Sequence, residues 1–173
     1  GVRVVMITGD NEKTARSIAA ECGIMRRGGV VMDGKTLQNT ADEELIRLLP
    51  RLCVIARALP GDKSRLVRLA QKAGYVVGMT GDGINDAPAL KCADVGFAMG
   101  SGTDIAKEAG DIIITDNAIS SIAKAVLYGR TIFKSIRKFI LFQMTTNLSA
   151  VAITTICPLL GIDTPITVLQ MLW

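Results

Sequence analysis

The chain has 173 residues, a formal net charge of +4 and a mean hydropathy of +0.37, which is high for a wholly soluble domain. It contains no histidine and its four cysteines form no CxxC pair, so the ligand spacing of a zinc site is missing. The small net charge and the 4% aromatic content do not favour a nucleic-acid surface. We therefore expect reduced thiols in a cytosolic domain and no nucleic acid among its partners.

Short apolar runs alternate with helical patterns in the first 117 residues. Apolar runs predict strands over residues 2–8, 53–56, 75–80, 95–99 and 111–115. The spacing of apolar residues predicts helices over 11–22, 42–49 and 62–73. Strands that alternate with helices indicate an α/β fold with a doubly wound, mostly parallel sheet. In such a sheet, ligands bind at the carboxyl ends of the strands.

A long helix is predicted from about Ala118, and it leads into a run of 24 uncharged residues from Phe139 to Ile162. That run is longer than the roughly 20 residues that a helix needs to cross a bilayer core. We therefore predict four segments of the chain: a soluble domain over 1–117, a basic stalk helix over 118–138, a transmembrane helix over 139–162, and a loop with the start of another transmembrane helix over 163–173.

Four cations precede the uncharged run, at positions i, i+4, i+7 and i+8: Arg130, Lys134, Arg137 and Lys138. This spacing places them on one face of a helix, which is typical of a solvated surface. Their position also fits the positive-inside rule, which predicts that residues 1–138 face the cytoplasm of an integral membrane protein.

Polar side chains follow the predicted strands where ligands are expected to bind. These residues are Thr8, Gly9, Asp10, Lys63, Asp82, Asn85 and Asp86. A threonine hydroxyl and a glycine amide can bind phosphate oxygens, and a lysine at the same edge neutralises their charge. The set of residues therefore indicates phosphoryl transfer.

The stretch "TGDGINDAPAL", residues 80–90, supplies the acidic part of that set. Asp82 can hold Mg²⁺, which prefers a carboxylate together with phosphate oxygens and water. Asp86 can orient Lys63 or a metal-bound water, and Asn85 can donate to a phosphate. Taken singly, each of these residues is equally typical of turn and helix-start chemistry.

Two other glycine patterns suggest nucleotide binding but do not fit it. Residues 29–36, "GVVMDGKT", match the P-loop pattern, yet their interior is apolar and β-like rather than a flexible loop. Residues 81–86 start like a dinucleotide fingerprint but carry Asp86 where the third glycine belongs. We therefore expect neither motif here.

Four stretches in this order resemble P-type ATPases: "MITGDN" at 6–11, "DKSRLV" at 62–67, "TGDGINDAPALKCADVGFAMGSGTD" at 80–104, and the membrane run. The resemblance covers essentially the whole chain. It implies the second half of the phosphorylation domain, with an incomplete haloacid-dehalogenase-like sheet, followed by the fifth transmembrane helix. Its expected partners are the lipid membrane and the nucleotide-binding, actuator and other transmembrane segments of the same polypeptide.

The resemblance also implies roles for individual residues. It implies phosphate and nucleotide binding, with ATP as the donor, at Thr8, Gly9, Asp10, Arg57, Lys63 and Asn85. It makes Asp82 the Mg²⁺ ligand, with Asn85 and Asp86 supporting the phosphate site next to the catalytic Lys63. The family forms a phospho-aspartate in a DKTGT motif that this chain lacks. We therefore expect the nucleophile to lie before Gly1, so that this chain alone does not turn over ATP.

The resemblance extends to the transported ion. In calcium pumps an asparagine of the fifth helix binds Ca²⁺, and Asn147 matches that position. Pumps of the sarcoplasmic-reticulum kind carry a glutamate three residues later, where this chain has Ala150, so the plasma-membrane calcium pumps are the better match. Copper and zinc pumps share "GDGINDAPAL" but use a Cys-Pro-Cys motif, which Cys157-Pro158 is not.

Three alternatives stay open: a P-type pump for another cation, a soluble phosphatase of the same fold, and a non-catalytic product that keeps the fold. The strand-end residues are common to all of them. The uncharged run argues against the soluble phosphatase, which has no use for a membrane segment behind a basic face.

Overall fold

The computed structural model describes residues 1–161, and these form six strands and seven α-helices. The strands are β1 Met6–Ile7, β2 Val30–Asp33, β3 Leu52–Ala56, β4 Gly78–Gly81, β5 Val95–Met99 and β6 Ile112–Ile114. The helices are α1 Glu12–Glu21, α2 Gly34–Asn39, α3 Asp42–Leu48, α4 Pro60–Lys72, α5 Ala87–Cys92, α6 Asp104–Ala109 and α7 Ile119–Leu159. A single 3₁₀ turn, Ile84–Asp86, lies between β4 and α5.

The strands form two three-stranded parallel sheets, in the orders β1-β3-β2 and β4-β5-β6. All five residues of β3 are buried at the centre of the first sheet, and β5 is the central strand of the second. The parallel α/β fold is therefore confirmed, with the predicted sheet divided into two parts. Among the described residues, strands β1 and β4 each lie at an edge and pair on one side only.

Helix α4 connects the two sheets. Its residues Leu66 and Leu69 pack in the core beside the first sheet, while Val67 packs in the core beside the second. Gln71 donates to the carbonyl oxygen of Cys92 at 2.9 Å. Arg68 donates to the Cys92 sulfur at 3.3 Å, and this hydrogen bond raises the pKa of the guanidinium above its ordinary value.

Two predicted strands are shorter than expected at their starts. The strand predicted over 2–8 is only Met6–Ile7, and the one predicted over 75–80 begins at Gly78. Both are edge strands, so their leading residues gain burial from one side at most. Val76, for example, is 86% exposed, and the Val77 N–H donates to the Asp94 carboxylate at 2.7 Å instead of to a strand.

The P-loop pattern at 29–36 contains a strand and not a phosphate-binding loop. Its interior is β2, which pairs in parallel with β3. A Cβ on Gly34 would lie 2.3 Å from the Arg57 carbonyl oxygen. This glycine therefore allows α2 to approach the end of β3 closely, and that packing explains why it stands there.

The chain divides into two compact units, residues 1–121 and a second unit that starts at Ile122. Helix α7 has 41 residues and no buried residue, and it is long and apolar enough to cross a membrane. Its large apolar side chains are mostly exposed, as at Phe142 (69%) and Leu148 (72%). The helix is continuous from Ile119 to Leu159, whereas the stalk and transmembrane segments were predicted over 118–138 and 139–162. Predictions for Ile162 and for 163–173 lie outside the described residues.

Candidate functional site

The loop after β4 is organised by one buried carboxylate. Asp86 is 6% exposed, and its Oδ1 accepts a hydrogen bond from the Lys63 ammonium at 2.5 Å. Its Oδ2 accepts from the backbone N–H groups of Asp82 and Gly83, both at 3.3 Å. Three donors therefore occupy this carboxylate, and it fixes both a lysine of α4 and the turn that carries Asp82.

This arrangement requires a glycine at the end of β4. A Cβ on Gly81 would lie 2.4 Å from Cβ of Asp86 and 2.8 Å from its carboxyl carbon. Such distances are too short for any side chain to fit unless Asp86 moves. Gly81 therefore makes room for the carboxylate that holds Lys63.

The side chains of Asp82 and Asn85 point to solvent. Both residues are exposed, and within residues 1–161 neither side chain has a hydrogen-bond partner. The Asp82 carbonyl oxygen accepts from the Thr103 N–H at 2.8 Å, which anchors the backbone of the turn to the loop before α6. A carboxylate and an amide are therefore presented on a fixed backbone and are free to bind a ligand.

The second polar turn follows β1. The Thr8 hydroxyl donates to Asp10 Oδ2 at 2.8 Å, and the Asp10 N–H donates back to the Thr8 oxygen at 3.1 Å. The N–H of Arg57 donates to the carbonyl oxygen of Asp10 at 2.9 Å. The N–H of Ala58 donates to the carbonyl oxygen of Thr8 at 3.0 Å. Arg57 adopts φ 50°, which is unusual for a residue with a side chain.

The predicted residues thus form two groups at the carboxyl ends of strands. Lys63 and Asp86 are in direct contact, and Arg57 is held against the turn of Thr8 and Asp10. Within the part of the chain that the structure describes, no hydrogen bond or ion pair joins the two groups. They are linked along the chain, because α4 begins at Pro60, just after Arg57.

A magnesium site is compatible with these residues. The described residues contain no cluster of three or more His, Cys, Asp or Glu side chains that could enclose a metal ion. Mg²⁺ does not need such a cluster, since it keeps several waters and binds one or two carboxylates together with substrate phosphates. The exposed carboxylate of Asp82 fits that requirement, whereas Asp86 is already occupied by three donors.

Three residues without a predicted role also shape this site: Gly81, Gly102 and Thr103. A Cβ on Gly102 would lie 2.8 Å from the Asp82 carbonyl oxygen, and Thr103 donates to that same oxygen. The small residues of "GSGT", directly after β5, are the signal of this close approach. That signal alone does not indicate contact with the loop after β4, which is distant in the sequence.

In the second unit, Asn147 is paired with a residue one turn earlier. The Gln143 amide donates to Asn147 Oδ1 at 3.3 Å, and both side chains are exposed. The hydroxyl of Thr154 donates to the Ala150 carbonyl at 2.9 Å, within the same helix. Gln143, Asn147 and Thr154 therefore recur at helical spacing along α7, and a hydrogen bond orients the amide oxygen of Asn147.

Family models for haloacid dehalogenase-like hydrolases match residues 1–94 and residues 72–126. Calcium-transporting ATPase 2 of Schizosaccharomyces pombe is 49% identical over 100% of this chain, which corresponds to 14% of that protein. Calcium-transporting ATPase 8, plasma membrane-type, of Arabidopsis thaliana is 44% identical over 100% of this chain and 17% of that protein.

A solved structure of a zinc-transporting PIB-type ATPase in the E2.Pi state matches with a TM-score of 0.67 and 32% identity. The match covers 97% of this chain and 22% of that one. The chain therefore spans less than a quarter of the length of each of these relatives, and it resembles them from end to end.

Proposed function

Because the chain belongs to the haloacid dehalogenase-like hydrolase family, we propose that it is the part of an ATP-driven calcium pump that completes the phosphorylation domain and enters the membrane. The observation that carries this proposal is the extent of the match. Similarity to calcium-transporting ATPases runs through the strand-end site and through the long apolar helix alike. The parent pump is the full-length polypeptide that contains this chain.

In this proposal Lys63 is the catalytic cation. Its ammonium neutralises charge on the transferring phosphoryl group, and Asp86 positions it through the 2.5 Å contact. The carboxylate partner also restricts the rotamers of the Lys63 side chain. Asn85, exposed beside it, donates its amide N–H groups to phosphate oxygens.

Asp82 is the proposed magnesium ligand. Mg²⁺, when bound, neutralises negative charge that develops on the phosphate oxygens. Asp82 supplies one carboxylate for the ion, and its backbone is held in place by Asp86 on one side and Thr103 on the other. The side chain can then bind the ion without any rearrangement of the turn.

The first polar turn is the proposed nucleotide and phosphate contact. Thr8 and Asp10 are locked in mutual hydrogen bonds, which leaves the Gly9 N–H at the tip of the turn. Arg57, exposed and held against the same turn, presents a guanidinium to the phosphates or the nucleotide.

The nucleophilic aspartate is proposed to lie outside this chain, in the DKTGT motif of the parent pump. Two of the four edge strands support this: β1 and β4 lead into the two polar turns, and within residues 1–161 each pairs on one side only. A further strand that paired with both would join the two sheets into one and bring its carboxyl end to Lys63 and Asp82. The chain alone would then be inactive.

Helix α7 is proposed to cross the membrane and to carry Asn147 as a ligand of the transported cation. Its exposed apolar side chains, such as Leu141 and Met144, require an apolar environment. Polar side chains inside a membrane segment are usually functional or join helices. The soluble domain would then face the cytoplasm, with the remaining segments of the parent pump as its partners.

A second candidate is a pump for another divalent cation. The solved structure that matches 97% of this chain is that of a zinc-transporting ATPase. Identity is higher with the calcium-transporting relatives, at 44–49% against 32%, and this favours calcium.

The test is ATP-dependent phosphoenzyme formation by the parent pump in membranes, titrated separately with Ca²⁺ and Zn²⁺. We expect Ca²⁺-dependent labelling that requires a higher Ca²⁺ concentration in Asn147→Ala. Thr145→Val is the matched control, because the Thr145 hydroxyl is bonded to the Leu141 carbonyl of its own helix. Labelling that responds to Zn²⁺ alone would mean that the transported ion is Zn²⁺ and not Ca²⁺. The absence of any labelling would contradict the proposal that the parent protein is a pump of this kind.

A further inference from the structure

Helix α2, which begins inside the P-loop pattern, contacts the helix that carries Lys63. The side-chain nitrogen Nε2 of Gln38 lies 3.3 Å from each of the two carboxylate oxygens of Asp62. Asp62 directly precedes Lys63 in the sequence, and both belong to the first turn of α4. A hydrogen bond from α2 therefore reaches the turn to which the proposed catalytic cation is attached.

Asp62 has an unusual environment for an acidic residue. Among residues 1–161, Asp62 and Asp86 are the two charged residues that are buried. Asp86 is paired with Lys63, whereas Asp62 forms no ion pair within the same range. Its donors are the Leu59 N–H, at 2.8 Å, and the Gln38 amide. The Leu59 N–H alone would cap the helix, so the Gln38 amide is the additional donor that ties this buried charge to α2.

Arg65 holds α4 against the same helix. Its guanidinium donates to the carbonyl oxygens of Leu37 and Thr40, both at 2.8 Å, at the end of α2. Arg65 lies about 60° from Asp62 around the helix axis, so both residues face α2, whereas Lys63 lies about 160° from Arg65. Lys63 contacts the turn after β4 instead. Helix α4 is thus fixed to α2 on one face and presents the lysine from another.

This arrangement restrains the Lys63 side chain from both of its ends. Asp86 holds the ammonium, and the contact of Asp62 with α2 holds the backbone from which the side chain extends. If the first turn of α4 rotated or slid, the ammonium would have to leave either Asp86 or its place beside the phosphoryl group. A displacement of about 1 Å at a catalytic group can cost up to about 100-fold in rate.

We propose that Gln38 and Asp62 are positioning residues for phosphoryl transfer, and that their hydrogen bond fixes the point from which Lys63 reaches the phosphoryl group. The inference rests on the proposed function, since it takes Lys63 as the catalytic cation. Neither residue contacts the phosphoryl group: Gln38 acts through Asp62, and Asp62 acts through the first turn of α4.

The experiment measures the rate of phosphoenzyme formation by the parent pump in membranes, by rapid quench over a range of ATP concentrations. The test variant, Gln38→Met, keeps the length of the side chain and removes the donor, and it leaves no cavity because Gln38 is exposed. Gln38→Lys supplies a new donor that can reach Asp62. The matched control is Asn39→Leu, which removes an exposed amide of the same helix that bonds to nothing among residues 1–161.

We expect Gln38→Met to lower the rate at saturating ATP at least about fivefold, with an unchanged ATP concentration for half of the maximal rate. Gln38→Lys should recover most of the rate, and Asn39→Leu should label as the wild type does. The rate per labelled enzyme does not depend on how much enzyme is folded, and thermal inactivation is measured in parallel.

Four results would overturn the inference. The first is a wild-type rate in Gln38→Met, with or without a lower temperature of inactivation, which would make the contact structural only. The second is an equal loss in Asn39→Leu, and the third is a loss that Gln38→Lys does not recover. The fourth is a change in the half-saturating ATP concentration alone, which would mean a role in nucleotide binding.

Lys63→Met separates failure of this inference from failure of the proposed function. If Lys63→Met abolishes rapid labelling while Gln38→Met labels as the wild type does, the catalytic lysine stands and the positioning role is wrong. If Lys63→Met itself labels at the wild-type rate, Lys63 is not the catalytic cation, and the positioning role is rejected together with it.

Discussion

The Lys63 ammonium lies 2.5 Å from Oδ1 of Asp86, and this contact joins the helix after β3 to the turn after β4. The side chains are 20% and 9% exposed, so the pair is shielded from water on most sides. Because Asp86 also accepts two backbone N–H groups of the turn, one carboxylate sets the position of Lys63 and of the backbone at Asp82.

Asp86→Asn is therefore expected to damage both the site and the fold. The substitution keeps the shape but removes the charge that opposes Lys63, and it leaves a partly buried cation without its partner. We expect phosphoenzyme formation by the parent pump to fall at least about tenfold, and the domain to lose about 2 kcal/mol of stability. Rapid-quench labelling and thermal inactivation measure the two effects.

The control for this prediction is Asp104→Asn. Asp104 and Lys107 also form an ion pair, but at 3.8 Å and with the Asp104 side chain 96% exposed. Exposed pairs of this kind contribute little. If Asp86→Asn proved as mild as Asp104→Asn in both assays, the positioning role of Asp86 would be wrong.

Asp82→Asn is expected to separate activity from stability. The Asp82 side chain is exposed and bonds to no described residue, so its replacement should change the free energy of unfolding by less than about 0.5 kcal/mol. As the proposed magnesium ligand, however, it should be needed for labelling. We expect normal thermal inactivation together with a marked increase in the Mg²⁺ concentration required for half-maximal labelling. An unchanged Mg²⁺ titration would exclude Asp82 as the ligand.

The residue types of this site could be predicted from the sequence, but the pairing within it could not. Asp86 was expected to orient either Lys63 or a metal-bound water, and the structure shows that it contacts Lys63. Nothing in the local sequence distinguishes these options. The partner of Asp86 depends on how α4 packs against the turn after β4. Lys63 and Asp86 are 23 residues apart in the sequence, so a local pattern cannot show their contact.

The same limit explains the differences in the fold. Strand β5 and helix α1 were predicted almost to the residue, because each has a clear local pattern, and Asn11 caps α1 by accepting from the Thr14 N–H. The six-residue helices α2, α5 and α6 were not predicted. Fewer than two helical turns do not give a readable period, and tertiary packing determines whether they form.

Gly81→Ala tests the packing behind the site without replacing a charged residue. The added Cβ would lie 2.4 Å from Asp86 Cβ, so Asp86 must shift and its contact with Lys63 must loosen. We expect a loss of about 1–3 kcal/mol in stability and at least about tenfold in labelling. Gly61→Ala is the control, since a Cβ at that helical position meets nothing within 4 Å. It should be neutral or slightly stabilising. Equal behaviour of the two variants would mean that Gly81 has no special packing role.

Gln143→Leu tests whether the amide of Asn147 must be oriented for cation binding. Gln143 donates to Asn147 Oδ1 at 3.3 Å, which leaves the second lone pair of that oxygen for a cation. Without this donor the amide of Asn147 can rotate, and we expect a several-fold higher Ca²⁺ concentration for half-maximal labelling with an unchanged maximum. Phosphorylation by inorganic phosphate in the absence of Ca²⁺ should stay normal, which separates a cation-site effect from general misfolding.

Gln143→Glu preserves an oxygen-rich side chain but removes the N–H donor, so it should not restore the wild-type titration. If Gln143→Leu left the Ca²⁺ titration unchanged while Asn147→Ala shifted it, Asn147 would act without help from Gln143.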